Sequence, residues 1–503
     1  MPPRRSPTGS GGAENPGFQA MDQTGMQNMR YVSTRGGCPP HSFPEAVMTG
    51  LAPDGGLFLP ESLPDFSASL EGLQECSFQE LFKRLAAPFI DGSIPDVVLD
   101  SLVERSYAVF DHPDVTPVLP VGGLYVCELF HGPTLAFKDV ALQFLVNLFE
   151  HLLGRREARL TVLGATSGDT GSAAIHALKG RKGIEVFILY PHGRVTPIQE
   201  MQMTTVEDAN IHPIAIEGTF DDAQRLVKEL FNDHAFNAEV SLGAVNSINW
   251  VRVMAQITYY FFAYFRVVEF QQGAGNDGKM RLGDPLRFSV PTGNFGHVYA
   301  GLMARGMGLP VEKLILATNA NAILHDLVAS GVYRRGEVRQ TLSPSMDIQL
   351  ASNFERYLFD LAGRDSGRVN DWLDELSRKG KFTLASQYLA KVEQDFISER
   401  VDDRETVETI RSVHAESGYL LDPHSAVGFR AGEKHRREGM PTIAMVTAHP
   451  AKFSDAIRQA IGREPELPPS LARLAGLAER KQVLPGNPDA LRKTIRETLA
   501  ARS

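Results

Sequence analysis

Cysteine and tryptophan are scarce in this chain of 503 residues, which holds three of the first and two of the second. Cys38, Cys76 and Cys127 are an odd number set far apart. That pattern provides neither a disulfide framework nor a zinc-ligand spacing, so no metal is expected and a reducing, cytoplasmic compartment is. Long apolar runs are missing as well. The most apolar stretch, ITYYFFAYF at 257–265, falls well short of the roughly 20 residues that span a membrane and reads as a buried helix. Blocks of like charge are absent too: the formal net charge of -9 is spread along the chain. Nothing in it forms the basic stripe that a nucleic-acid backbone or an anionic membrane surface requires. The chain also lacks G-x-G-x-x-G followed by an acidic residue about 20 positions on, and it lacks a phosphate loop ending in Gly-Lys-Ser/Thr, which removes the usual dinucleotide and nucleoside-triphosphate cradles. No repeat or heptad array is present. What is left is the composition of a globular protein that handles a small molecule.

At about 150 residues per domain, the length suggests roughly three folding units. Residues 1–27 are rich in Gly, Pro, Ser and Gln and have little to bury, so they are expected to be a disordered tail. Arg4 and Arg5 raise a targeting peptide, against which stand Glu14, Asp22 and the lack of an apolar core. Residues 28–115 read as a small α/β domain, with extended pieces around 31–37 and 53–60, helices at 78–89 and 97–110, and a boundary at Asp111-His112-Pro113. From 116 to 470 strand, turn and helix alternate, with strands expected at 124–129, 160–163, 184–190, 211–216, 288–290, 314–317 and 442–446. Residues 271–284 read as a surface loop, and 471–503 as a helical extension. Such alternation predicts the α/β class, with mainly parallel sheets covered by helices and a ligand at the carboxyl ends of the strands.

Four turns carry the chemistry. In HGPTLAFKD at 131–139, Pro133 suits a helix entrance, and Val140, Leu142, Phe144, Leu145 and Leu148 follow at roughly helical spacing. Lys138 then falls in the first turn, where the positive helix end and partial screening weaken its hold on a proton, as an amine nucleophile needs. The plain alternative is a solvated surface charge. GATSGDTG at 164–171 combines backbone N–H groups with Ser167, Asp169 and Thr170 and can grip a carboxylate, unless its glycines only allow a tight turn. PTGNFGH at 291–297 offers backbone donors to a phosphate. TAHPAKF at 447–453 follows a strand. A threonine hydroxyl there can hydrogen-bond a neutral ring nitrogen, whereas an aspartate would favour its protonation; His449 and Lys452 read equally as cap and surface residues. Two further polar stretches stand out, NSINWVR at 246–252 and the segment 343–356. In the first, Arg252 either clamps a substrate phosphate or braces two domains through an ion pair.

The segments YVSTRG, APDGGLFLP, HGPTLAFKD, GATSGDTGSAA, NSINW, PTGNFG, DPHSAV and TAHPAKF, in that order from Tyr31 to about Ile461, together resemble the threonine synthases, pyridoxal phosphate enzymes with the tryptophan synthase β-subunit type fold. The resemblance implies a two-lobed fold type II enzyme with a small N-terminal α/β domain, acting as a monomer or homodimer. It implies that Lys138 holds pyridoxal 5'-phosphate covalently, that Gly293, Asn294, Phe295, Gly296 and His297 surround the cofactor's phosphate, and that Thr447 meets the ring nitrogen. His297 departs from the Asn or Asp expected at that place. Ser167, Gly168, Asp169 and Thr170 would take the substrate's carboxylate and amino end, with Thr134, Asn246, Asn249 and Arg252 completing the substrate site. The implied reaction, the last step of threonine biosynthesis, turns O-phospho-L-homoserine and water into L-threonine and phosphate. A phospho-lyase that acts on O-phosphothreonine is the nearest rival; Pro133, Asn294 and Phe295 favour the synthase. A non-catalytic scaffold would lack a reason to keep Lys138, the glycine turns and Thr447 together.

Overall fold

The computed structural model describes residues 29–154, 159–243, 248–273 and 280–502. The expected tail at 1–27 and the middle of the loop expected at 271–284 lie outside the described residues.

Each strand expected between 116 and 470 forms, and they sort into two sheets. One has six strands in the order Phe396–Arg400, Val311–Thr318, Leu286–Pro291, Thr442–Val446, Leu124–Glu128 and Val118–Val121. Its neighbours are parallel except the last pair. That pair is a hairpin closed by Gly122 and Gly123, whose φ angles of 56° and 81° are what a two-residue turn matching the strand twist demands. The other sheet runs Gln482–Pro485, Ile211–Glu217, Ile184–Pro191, Leu160–Ala165 and Leu242–Gly243, all parallel. The sequence reading misses four of these strands: Val118–Val121, Phe396–Arg400, Leu242–Gly243 and Gln482–Pro485. All four sit at sheet edges, where one-sided pairing tolerates short and polar sequences that carry no strand signal of their own. The stretch from 471, expected to be helical, thus supplies a strand ahead of its helix Pro488–Ala501.

Two helices are buried almost all round, Lys138–Gly154 and Trp250–Gly273. Continuous burial, rather than a one-sided stripe, marks them as interior elements. Trp250–Gly273 packs on Phe78–Ile90, Lys138–Gly154 and Gly296–Gly306, so the N-terminal helices share its core. Phe78 meets Phe262, Phe82 meets Phe144 and Phe89 meets Trp250, with ring centroids 5.6, 4.6 and 5.6 Å apart. Each such ring contributes on the order of 2 kcal/mol by leaving water. The small ribbon of Tyr31–Ser33 and Phe58–Pro60 is tied to the rest through Arg35, which grips Glu355 with two hydrogen bonds of 3.1 and 3.0 Å. Among the described residues no helix is long and apolar enough to cross a membrane.

Candidate active site

The helix that bears Lys138 begins at Lys138 itself, five residues after Pro133, so Pro133 lies in the preceding turn instead of at the helix entrance. Four hydrogen bonds keep that turn from continuing the helix. The Asp139 carboxylate accepts from the Thr134 amide and hydroxyl, both at 2.8 Å. The Phe137 amide donates to the Thr447 carbonyl at 2.8 Å, and the His449 amide to the Leu135 carbonyl at 3.1 Å. Thus the lysine turn is stitched to the Thr447 turn. Lys138 is 9 % exposed. Burial pushes its pKa down to about 8; Lys452 and Arg252 push the same way and Asp169 resists.

The turn at 164–171 arrives beside it. Thr166 Oγ1 accepts from the amides of Gly168 and Gly171 at 2.9 and 2.8 Å, which curls the chain so that a helix starts at Asp169. Gly168 has φ 134°, and a Cβ there would stand 2.3 Å from the Gln199 side chain; only glycine fits. Asp169 Oδ2 lies 3.7 Å from Lys138 Nζ, while its Oδ1 meets Lys452 Nζ at 2.6 Å and Gln199 Nε2 at 3.0 Å. Burial by itself would raise the Asp169 pKa, but Lys452 and Lys138 outweigh it and hold the group ionised. The first N–H groups of this helix, at Asp169 and Thr170, have no partner inside it.

The third turn sits at the carboxyl end of Leu286–Pro291 and opens the helix Gly296–Gly306. Gly293 packs under the segment 343–356: a Cβ would come within 2.9 Å of the Ser345 carbonyl oxygen. The Asn294 carbonyl accepts from the Asn353 amide at 3.0 Å. Phe295, at φ 67°, turns its ring into a cluster with Phe354, Tyr357 and Phe396, leaving only its backbone to line the turn. His297 is buried, and burial takes its pKa down to about 3. Its Nδ1 lies 2.5 Å from Tyr259 Oη, which donates to Gln256 Oε1 at 2.9 Å. Since that tyrosine proton is engaged, Nδ1–H of His297 is the donor to Tyr259 and Nε2 is left as an acceptor. Nε2 has no hydrogen-bond partner.

Arg252, Gln256 and Tyr259 occupy one face of the interior helix at intervals of four and three residues. The Gln256 amide donates to the Arg252 carbonyl at 2.6 Å. Arg252 is 3 % exposed, and among the described residues its Nε and Nη1 have no hydrogen-bond partner. Among the described residues no carboxylate pairs with it, so no ion pair there braces two domains through Arg252. It remains a buried cation beside Lys138, whose proton affinity it lowers.

Two expected substrate residues are engaged within the fold. The Thr134 hydroxyl donates to Asp139, and Asn249 donates to the Val47 carbonyl at 2.8 Å while its Oδ1 accepts from the Val251 amide at 3.1 Å. Asn246 lies outside the described residues. Thr447 joins the site through its backbone amide, which donates to Ser425 Oγ at 2.9 Å. Asp422, capping the helix Pro423–Lys434, binds the hydroxyl of Ser425 and, at 2.8 Å, Nδ1 of His424; Nε2 of His424 accepts from the Ser345 amide at 3.1 Å. This relay, with Gln199 and Lys452, is what the sequence reading misses. The Asp-Pro pair of DPHS signals a helix start, but nothing local says which loops its side chains will join.

Residues 109–375 match the family described as pyridoxal-phosphate dependent enzyme, which sets the class of this fold and site. The flanks are narrower: residues 30–107 match the threonine synthase N terminus and 425–495 the threonine synthase C-terminal family. Threonine synthase of Pseudomonas aeruginosa is 47 % identical over 91 % of this chain and 96 % of its own. The crystal structure of pyridoxal phosphate-bound threonine synthase from Brucella melitensis superposes with a TM-score of 0.88 at 44 % identity, covering 93 % and 99 % of the two chains. That of the yeast enzyme gives 0.87 at 43 %, covering 94 % and 99 %. The chain belongs to the threonine synthase family, and its cofactor is pyridoxal 5'-phosphate. A phosphorylated aldehyde needs a buried amine and anion donors. Lys138, and the turn at Gly293, where a Cβ would stand 2.9 Å from the Ser345 carbonyl oxygen just ahead of the helix Gly296–Gly306, fit that need.

Proposed function

We propose that this chain converts O-phospho-L-homoserine and water to L-threonine and phosphate, with pyridoxal 5'-phosphate held by Lys138. The observation that carries the reading is the buried Lys138 amine set among Asp169, Lys452 and Arg252, with a pKa pushed down to about 8. Bound at Lys138, the cofactor supplies an electron sink for negative charge at the amino acid's α-carbon. The chain does the rest. The backbone from Gly293 to Gly296 and the start of the helix Gly296–Gly306 hold the cofactor's phosphate, and Thr447 faces the ring nitrogen. Ser167, Gly168 and Thr170, with the amide of Asp169, take the substrate carboxylate. Lys138 Nζ, free once the substrate's amino group has taken its place and unprotonated in part near neutral pH, removes the α-proton and carries protons between neighbouring carbons. Arg252, a cation lacking an anion, receives the departing phosphate, which leaves Cγ before water adds at Cβ.

Free Cys38, Cys76 and Cys127 support a cytoplasmic setting, and the absence of a cation cluster from the sequence supports a small-molecule partner alone, with the chain acting as a monomer or homodimer. The test is to load the protein with pyridoxal 5'-phosphate and offer O-phospho-L-homoserine and O-phospho-L-threonine separately. Free threonine from the first is the expected product. An oxo acid and ammonia from the second, with no threonine from the first, would make it a phospho-lyase.

A further inference from the structure

Lys452 has the environment of a working residue although the reaction leaves it idle. It is fully buried, at 0 % exposure, and a buried ammonium needs close partners. Its Nζ lies 2.6 Å from Asp169 Oδ1 and donates to the Thr134 carbonyl at 2.8 Å. Gln199 Nε2 adds a second contact at the same Oδ1, at 3.0 Å. The other oxygen is held loosely, with Ser345 Oγ at 3.4 Å and Lys138 Nζ at 3.7 Å from Oδ2, both beyond a strong hydrogen bond. One carboxylate therefore serves two ammonium groups unequally, and the tighter pair excludes the lysine that must react.

We propose that Lys452 is a positioning residue for Lys138: by holding Asp169 at its Oδ1 edge against the carbonyl of Thr134, it keeps that carboxylate from closing on the reactive amine. The proposal rests on Lys138 being the cofactor-bearing lysine. Thr134 belongs to the turn that carries Lys138, so Lys452 joins turn and carboxylate in one fixed arrangement. Its charge acts as well. Asp169 favours a proton on Lys138 while Lys452 and Arg252 oppose it; His424 acts on Asp169 in the same sense as the lysines, and Asp139 feels Lys452. Without Lys452, Asp169 would keep a single ammonium partner. A shift of under an ångström would turn that contact into a charge-assisted hydrogen bond, and Lys138 would keep its proton to higher pH.

The experiment follows apoprotein mixed with pyridoxal 5'-phosphate by stopped-flow absorbance across pH, with no substrate present. The association rate should rise through a midpoint set by deprotonation of Lys138. Lys452→Met should move that midpoint up by about one unit or more and slow association near neutral pH about tenfold. Lys452→Arg, which keeps the charge, should stay close to the unaltered protein, and Asp169→Asn should move the midpoint down. An unmoved midpoint in Lys452→Met with native circular dichroism, or Lys452→Arg behaving like Lys452→Met, overturns the proposal. Should Lys452→Met fail to fold, a midpoint in Asp169→Asn at or above that of the unaltered protein overturns it equally. Lys138→Ala separates the two readings: bound-cofactor absorbance that survives in it removes Lys138 as the cofactor lysine, whatever Lys452 does.

Discussion

Two buried side chains, Arg252 and His297, carry polar atoms that the fold leaves unanswered, and each leads to a measurable consequence. A buried guanidinium with two nitrogens unanswered among the described residues destabilises the empty protein, because its desolvation is not fully offset. Arg252→Met should therefore leave the thermal midpoint of the apoprotein unchanged or higher, while the KM for O-phospho-L-homoserine rises at least about tenfold. A lower midpoint with an unchanged KM would show a structural brace. His297 titrates with the opposite bearing on stability. Its pKa in the folded protein is about 3, below the ordinary value of about 6.5, so the unfolded chain takes up a proton first as pH falls. Stability is full above about pH 6.5 and declines on acidification towards pH 3. His297→Gln should remove about 2 kcal/mol of the stability lost between about pH 7 and pH 5, read by urea denaturation at both. Part of the loss will persist, since His176 and His449 are likewise depressed, to about 4.

At the scale of elements, the site depends on where helices begin. Gly168 permits the helix Asp169–Leu178 to start inside the 164–171 turn, and so brings Asp169 against the lysines. Gly168→Ala adds both a strained φ and a collision with Gln199, and should cost about 1–3 kcal/mol. The contrast is Gly72→Ala, in the helix Leu70–Gln74 with nothing within 4 Å of the added methyl, which should stabilise by about 0.5–1 kcal/mol. Equal losses in the two denaturation curves would show that backbone freedom at Gly168 is not what matters. The helix starts were only partly legible. Pro133 pointed to an entrance that Asp139 and the Thr447 turn overrule, because long-range hydrogen bonds outweigh a local preference for φ.

For the whole molecule, the C-terminal stretch closes the second sheet. Gln482–Pro485 covers the edge of Ile211–Glu217, and Leu491 and Ile495 pack with Leu226, Leu230 and Phe236. Ending the chain at Lys481 should lower the thermal midpoint and promote association through the bared edge, although none of the described residues it removes is hydrogen-bonded to the site. Light scattering and a melt unchanged from the full chain would refute this. The sequence by itself determined the α/β class, the order of the inner strands and the four turns with their candidate lysine, because hydrophobic periodicity and turn chemistry are local properties that need only a few neighbouring residues. Tertiary structure alone decided which edge strands join each sheet, that Lys452 is interior rather than a surface cation, that Asn249 and the Thr134 hydroxyl are engaged within the fold, and that Asp169 is divided between two lysines. Those outcomes depend on groups up to about three hundred residues apart meeting where water is excluded, and burial of that kind leaves no mark on the residues next in sequence.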